Sequence, residues 1–452
     1  MRAFLLIIFL LGIRPAFAIA DENDTRLREL QAAVSADRIE QDIDRLVGFG
    51  TRHTLSETDS DMRGIGAARR WIKSEFDKIS ADCGGCLDVF YVSDFIEGEP
   101  RIPERTEVVS VIALQRGSLD PDRIVMMSGD IDSRVSDPLD GTSDSPGAND
   151  NASGMAGVLE AARVLSQKKF AGTIIYAGLS GEEQGLFGGK IVAQHALDNG
   201  WRIKAVLNND MIGNIEGVDG VIENSTARVF SEGTRATETP EEARIRRFTG
   251  GEVDSPSRNL ARYIDRLADE YVPNLDVLMI YRLDRFARGG HHRPFNEAGI
   301  PGVRIMETHE HYDRQHQDLR TEDGVEYGDV IEGVNFDYAR KLTSLNVVTL
   351  ANLAAAPPIP SEVEISGAVS SSTTLKWSRP TGRAARNLAG YRVHWRRTDA
   401  PQWTNKMDIG DVTEFTLENI VIDNYFFGVS AVAKDGAQTP VVFPGPAGSF
   451  GE

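Results

Sequence analysis

The sequence predicts an α/β domain whose sheet is covered by helices on both faces, followed by a smaller all-β sandwich. Three observations carry this. From Val108 onward, apolar runs (Val108–Leu114, Ile124–Met127, Thr173–Leu179, Ala205–Leu207, Val303–Met306) alternate with helical stretches (Met155–Leu165, Leu186–Leu197, Leu260–Leu267). Strands that read as continuous apolar runs are buried on both faces. Ala354-Ala-Ala-Pro-Pro-Ile-Pro360 then breaks the pattern as a stiff linker, and only strand signals follow it.

Along the chain, Arg2 precedes an apolar run, Ala3–Ile13, and Ala16-Phe17-Ala18 offers a small-residue cleavage site, so residues 1–18 read as a signal peptide. The run is too short to span a bilayer, and no later segment is long and apolar enough to do so. A secreted or periplasmic protein is expected. Ile39, Ile43 and Leu46 recur at helical spacing, as do Ile65, Ala68, Ile72 and Phe76. Cys83 and Cys86 lack the second pair that a zinc ribbon requires, and a strand pattern follows them. In an oxidising compartment they are disulfide candidates. Residues 213–257 are polar and read as a long surface insertion, a lid or wall of a site. A last helix spans about Phe336–Leu353. The expected organisation is therefore an α/β domain over 19–354, a linker over 355–360 and a β-sandwich over 361–452.

In that last part Tyr391, Val393 and Trp395 alternate with polar residues, as do Tyr425, Phe427, Val429 and Ala431 with theirs. Together with Trp377 and Leu417 they resemble the core of a fibronectin type III module. No catalytic constellation is visible there, and a spacer or adhesion module is expected, one that can bind protein or a surface polymer.

Lys and Arg total 49 against 68 Asp and Glu, a formal charge of −19. Such a surface repels phosphate backbones, which argues against a nucleic-acid partner. The acids are concentrated at strand ends: Asp130 and Asp132 after one apolar run, Glu182 and Glu183 after the next, and Asp210 after a third, with Asp150 immediately before a helix. In open α/β sheets ligands gather at the carboxyl ends of strands. Carboxylates converging there repel one another unless a cation neutralises them, so a divalent metal is expected. Five of the eight histidines fall between His291 and His316. Adjacent glutamates point in different directions, so one of the Glu182-Glu183 pair can hold a metal while the other accepts a proton from an attacking water.

Gly147-Ala-Asn-Asp-Asn-Ala-Ser-Gly, Ser180-Gly-Glu-Glu-Gln-Gly-Leu, Leu207-Asn-Asn-Asp-Met-Ile-Gly and Arg314-Gln-His-Gln-Asp resemble the co-catalytic dizinc aminopeptidase family (clan MH), which includes glutamate carboxypeptidases and glutaminyl cyclases. The resemblance covers about residues 39–355. It implies an αβα sandwich around a mixed, mostly parallel sheet, two zinc ions and a peptide substrate. Asp150 matches the bridging carboxylate, Glu183 and Asp210 match ligands to one metal each, and His316 matches the closing histidine. Glu182 matches the general base, and Asp132 an acid that orients a ligand.

Two positions depart from the family pattern. Gly-His-x-Asp is replaced by Gly129-Asp130-Ile131-Asp132, and His291 stands where an acid usually precedes histidine in Gly289-Gly290-His291-His292. Three arrangements satisfy the sequence. Asp130 ligates a metal directly, tilting preference toward harder ions such as manganese; or His291 supplies the lost imidazole from across the site; or one metal position is weak or empty. His292, His309 and His311 read as polar loop residues, and Tyr312 and Arg134 as groups that can reach substrate. The activity expected is that of an exported aminopeptidase. Its rivals are a carboxypeptidase, a glutaminyl cyclase and a non-catalytic binding relative.

Overall fold

The computed structural model describes residues 22–451, so the expected signal peptide lies outside the described residues. Three helices lead in, α1 (Glu22–Ala33), α2 (Ala36–Val47) and α3 (Gly64–Asp82). Ser35 caps α2 by accepting from the Arg38 amide. Next come β1 (Leu87–Ile96), β2 (Thr106–Gln115), β3 (Asp120–Asp130), α4 (Gly154–Leu165), β4 (Gly172–Leu179), α5 (Phe187–Asp198), β5 (Arg202–Asn209) and β6 (Thr226–Phe230). They are followed by α6 (Pro240–Thr249), α7 (Pro256–Tyr271), β7 (Asp276–Ile280), α8 (His292–Glu297), β8 (Gly302–Glu307), a hairpin of β9 (Arg320–Glu322) and β10 (Val325–Tyr327), and α9 (Phe336–Ala355).

Strands β1 to β8 form one mixed sheet in the order β1-β2-β4-β3-β5-β8-β6-β7. Its centre, β4-β3-β5-β8, is parallel, with antiparallel pairings at β2–β4 and β8–β6. The apolar runs follow from burial on both faces. Along β3, Val125 and Met127 join the core under α4 and α9, while Ile124 and Met126 join the core under α5 and α8. Because the four central strands are parallel, their carboxyl ends open on one edge, and the acidic strand ends meet there. Gly129 makes this possible for α4: a Cβ on it would lie 2.6 Å from the Gly154 carbonyl carbon.

The segment over 213–257 is not the surface insertion that its polarity suggests. It supplies β6, paired antiparallel to β8 within the main sheet. It also supplies α6, which opens with a Thr239/Glu242 capping box and whose end abuts Phe426 and Phe443 of the C-terminal part. None of its residues lines the cavity at the carboxyl edge of the sheet.

The C-terminal part consists of β11 (Ser361–Ser366), β12 (Thr373–Ser378), β13 (Leu388–Arg397), β14 (Asn405–Gly410), β15 (Glu414–Leu417) and β16 (Tyr425–Ala433). They make two three-stranded antiparallel sheets, β11-β12-β15 and β14-β13-β16. Leu375, Trp377, Tyr391, Val393, Phe427 and Val429 fill one core between them. The approach to this part is anchored. Arg123, buried, donates to the carbonyls of Leu353 (2.7 Å) and Ala356 (2.7 Å). Asp254, buried, pairs with Arg262 (2.9 Å) and with Arg396 of β13 (2.8 Å). Cys83 and Cys86 form a disulfide. Among the described residues no helix is long and apolar enough to cross a membrane.

Candidate metal centre

At the carboxyl edge of the sheet, the loop after β4 carries Glu182 and Glu183, the turn before α4 carries Asp150, and the loop after β8 carries His316. One ligand atom from each of Asp150, Glu183 and His316 falls within 4.8 Å of the others. His316 Nε2 lies 3.0 Å from Asp150 Oδ2 and 2.9 Å from Glu183 Oε1. His316 holds φ 56°, the left-handed region that a side chain adopts at a cost, and these contacts fix it there.

Each ligand is held from behind. Asp329 accepts from the Asp150 amide (2.7 Å) and the Asn149 amide (2.9 Å), and Gln315 donates to Asp150 Oδ2 (3.1 Å). Arg134 donates to Glu183 Oε2 at 2.7 Å, so its guanidinium serves the ligand. Asp132 accepts from the amides of Glu182 (3.2 Å) and Glu183 (3.1 Å) and from the Thr54 hydroxyl (3.1 Å). It orients the glutamate pair through the backbone. Asn151 ties the ends of β3 and β5 together, donating to Asp130 Oδ2 (2.7 Å) and the Asn209 carbonyl (2.8 Å) and accepting from the Met211 amide (3.1 Å).

The other expected ligands are engaged elsewhere. Asp210 lines the same cavity, but its Oδ2 receives Arg304 at 2.8 Å, and Arg304 is fully buried on β8. Asp130 Oδ1 meets His291 Nδ1 at 2.5 Å, with both side chains buried. Nε2 of His291 is buried without a partner. His292 is not a polar loop residue: it opens α8, buried, with Nε2 2.8 Å from the Leu283 carbonyl. Tyr312 is exposed and does not line the cavity.

The electrostatics divide the acids into two groups. Burial acts to raise Asp150 and Glu183, but His316 beside them wins and holds both below the ordinary carboxylate range. Burial followed by the charges of Asp210 and Glu183 pushes Glu182 well above its ordinary value. Burial lifts Asp210 to about 8 against the pull of Arg304, and lifts Asp132 to about 7 with help from Glu183. A cluster of this charge calls for a cation. Two carboxylates and an imidazole facing an open cavity are a donor set that suits a catalytic zinc.

Arg304, Asp329 and Gln315 escaped the sequence reading. The one signal was Arg304 itself, a lone cation in the apolar Val303–Met306 run, where a buried charge demands a partner.

The sequence model of peptidase family M28 matches residues 110–332. A probable zinc metalloprotease of Leptosphaeria maculans is 43% identical over 422 residues, covering 92% of this chain and 97% of that protein. Another from Pyrenophora tritici-repentis is 42% identical over 427 residues, covering 94% and 87%. Among solved structures, the Legionella pneumophila LapA aminopeptidase superposes with a TM-score of 0.55 at 21% identity, over 79% of this chain and 78% of that one. Legionella pneumophila LapB gives 0.54 at 19% identity, over 75% and 77%. These two likenesses are of fold.

Proposed function

The chain belongs to peptidase family M28, and on that premise we propose that it is an exported, zinc-dependent aminopeptidase. The observation that carries the reading is the Asp150–Glu183–His316 cluster with Glu182 next to it in sequence and in the same cavity. The fungal relatives are probable zinc metalloproteases, and the donor set of this chain suits that metal. With Asp130 engaged by His291 and Asn151, the reason to favour manganese falls away. Instead of the two ions that the family resemblance implies, we assign one tightly held ion to Asp150, Glu183 and His316, because Asp210 already has a counter-cation in Arg304.

The chemistry supplied by a bound zinc is Lewis-acid polarisation of the scissile carbonyl and activation of water. The chain's own groups do the rest. Glu182, half-buried and with its proton affinity raised, takes the proton of the attacking water and returns it to the leaving amine. Asp132 keeps Glu182 and Glu183 in register through their amides. Export is supported by the signal-peptide pattern over residues 1–18 and is consistent with the Cys83–Cys86 disulfide. The C-terminal sheets, fibronectin type III-like in their core pattern, are assigned a role in binding protein or a surface polymer.

Product analysis on an unblocked peptide tests the reading. Loss of the first residue is expected. Loss of the last residue, ring closure of an N-terminal glutamine, or no turnover would favour the carboxypeptidase, cyclase and binding-protein readings respectively. Glu182→Gln should lower kcat by about 10²–10⁴-fold while metal content stays unchanged.

A further inference from the structure

The cavity in front of the metal cluster, about 490 Å³, is walled by Arg101, Arg134, Lys190, Arg285, Arg288 and Arg293. That is a concentration of cations on a chain whose formal charge is −19. Four of the six have an acidic partner, but those partners are few and partly shared. Arg285 (2.9 Å) and Arg288 (3.0 Å) share Oε2 of Glu310, and Arg228 takes that residue's other oxygen at 3.1 Å, so three guanidiniums draw on one carboxylate. Arg285 has a second, longer contact to Asp284 at 3.4 Å. Arg101 donates to the Glu183 carbonyl (2.6 Å), and Lys190 lies 4.6 Å from the Phe187 ring centroid. Among the described residues neither has a carboxylate within ion-pair distance. Arg293 reaches Glu297 only at 3.6 Å, and its Nε is buried without a partner. Of the cavity's other acids, Asp150 and Glu183 are the assigned metal ligands, Asp210 is paired with Arg304, and Glu182 is the assigned proton acceptor.

A cleft lined by one sign of charge concentrates ligands of the other sign. We propose that this wall selects peptides that place a carboxylate next to the scissile bond, supplied by an acidic side chain or by the peptide's own C-terminus. The inference rests on the peptidase reading and names its substrate class. Arginine suits the role because its planar fork matches a carboxylate.

The test compares kcat/KM for matched peptides beginning with Glu, Leu or Lys, each with a free or an amidated C-terminus, on the full zinc-loaded protein. The expected result is at least a tenfold preference for Glu over Lys that shrinks as salt rises. The Lys190→Gln/Arg293→Gln double variant should bring that ratio close to one. If the C-terminal carboxylate is the group recognised, amidation removes activity instead and the last residue is the one released. Equal or better cleavage of the Leu and Lys peptides, unaffected by amidation, overturns the proposal and leaves the peptidase reading standing. Absence of any turnover defeats the peptidase reading alone. Calorimetric binding of the Glu and Lys peptides to Glu182→Gln protein then decides the wall's role: tighter binding of the Glu peptide upholds it, and equal binding overturns it.

Discussion

His291 Nδ1 and Asp130 Oδ1 meet at 2.5 Å inside the protein, the imidazole arriving just before α8 and the carboxyl at the end of β3. The two departures from the family pattern are therefore one exchange across a single contact: an acid stands where a histidine is usual, and a histidine where an acid is usual. Burial raises Asp130 to about 8 and lowers His291 to about 4. Both shifts favour a neutral pair sharing one proton at pH 7.

The exchange predicts a compensating pair of mutations. Asp130→His alone sets two imidazoles against each other, and His291→Asp alone sets two carboxyls together. Each should cost about 1–3 kcal/mol, the penalty for a buried polar group without its partner. The double swap restores the contact and should recover most of the loss. Urea unfolding of the four proteins measures this directly, and additive losses in the double swap would show that the contact does not couple the residues.

Metal content separates the cluster from its surroundings. Elemental analysis of chelator-free protein should find one tightly held ion per chain. Asp150→Asn, Glu183→Gln and His316→Gln should each abolish retention, whereas Asp210→Asn should leave the count at one, because that carboxylate already faces Arg304. Two tightly held ions in the wild-type protein would sink this assignment. Saturating zinc should also raise the melting temperature, since a ligand at about 100 times its Kd adds about 2.7 kcal/mol.

Much of this was legible in the sequence because the central strands are buried on both faces. All eight residues of β4 are buried, and such strands read as unbroken apolar runs. Strands β6 and β7 were not legible: each has five residues, set in polar surroundings, and they cover the far edge of the sheet. Asp150, Glu183 and His316 were visible because each sits in a motif of several residues. Arg304, Asp329 and the arginines of the cavity wall other than Arg134 were not. A single charge carries no periodicity, and its partner lies far along the chain, as Asp210 does from Arg304 and Glu310 from Arg228.

His394 predicts a pH dependence remote from the metal centre. It lies buried on β13 with Nε2 2.8 Å from the Ser430 hydroxyl, and burial, reinforced by the charge of Arg392, lowers its proton affinity well below the ordinary histidine value. The folded chain therefore keeps it neutral, while the unfolded chain binds a proton below about pH 6.5. Above that pH the group contributes nothing to the pH dependence. Below it, stability falls by up to about 1.4 kcal/mol per pH unit. Melting temperatures between pH 7.5 and 5 should decline, and His394→Gln should flatten part of that decline. An unchanged slope in the variant would locate the titrating groups elsewhere, with the buried His291 and His292 next in line.

Asp254 should be the residue on which docking of the C-terminal sheets depends most. Its carboxylate sits between Arg262 of α7 (2.9 Å) and Arg396 of β13 (2.8 Å), and all three side chains are buried. Removing the acid strands two guanidiniums out of water, so Asp254→Ala should destabilise the chain by about 3–5 kcal/mol. Adding Arg396→Met should return part of that loss by deleting one stranded charge. The same single variant should become sensitive to protease within residues 356–360, the segment that joins the two parts, while the wild-type protein resists. A loss below about 1 kcal/mol, with no new cleavage, would show that the flanking contacts hold the sheets without this clamp. Those contacts are the Tyr263 hydroxyl on the Gln438 carbonyl (2.8 Å) and Trp403 Nε1 on Asn259 (3.0 Å).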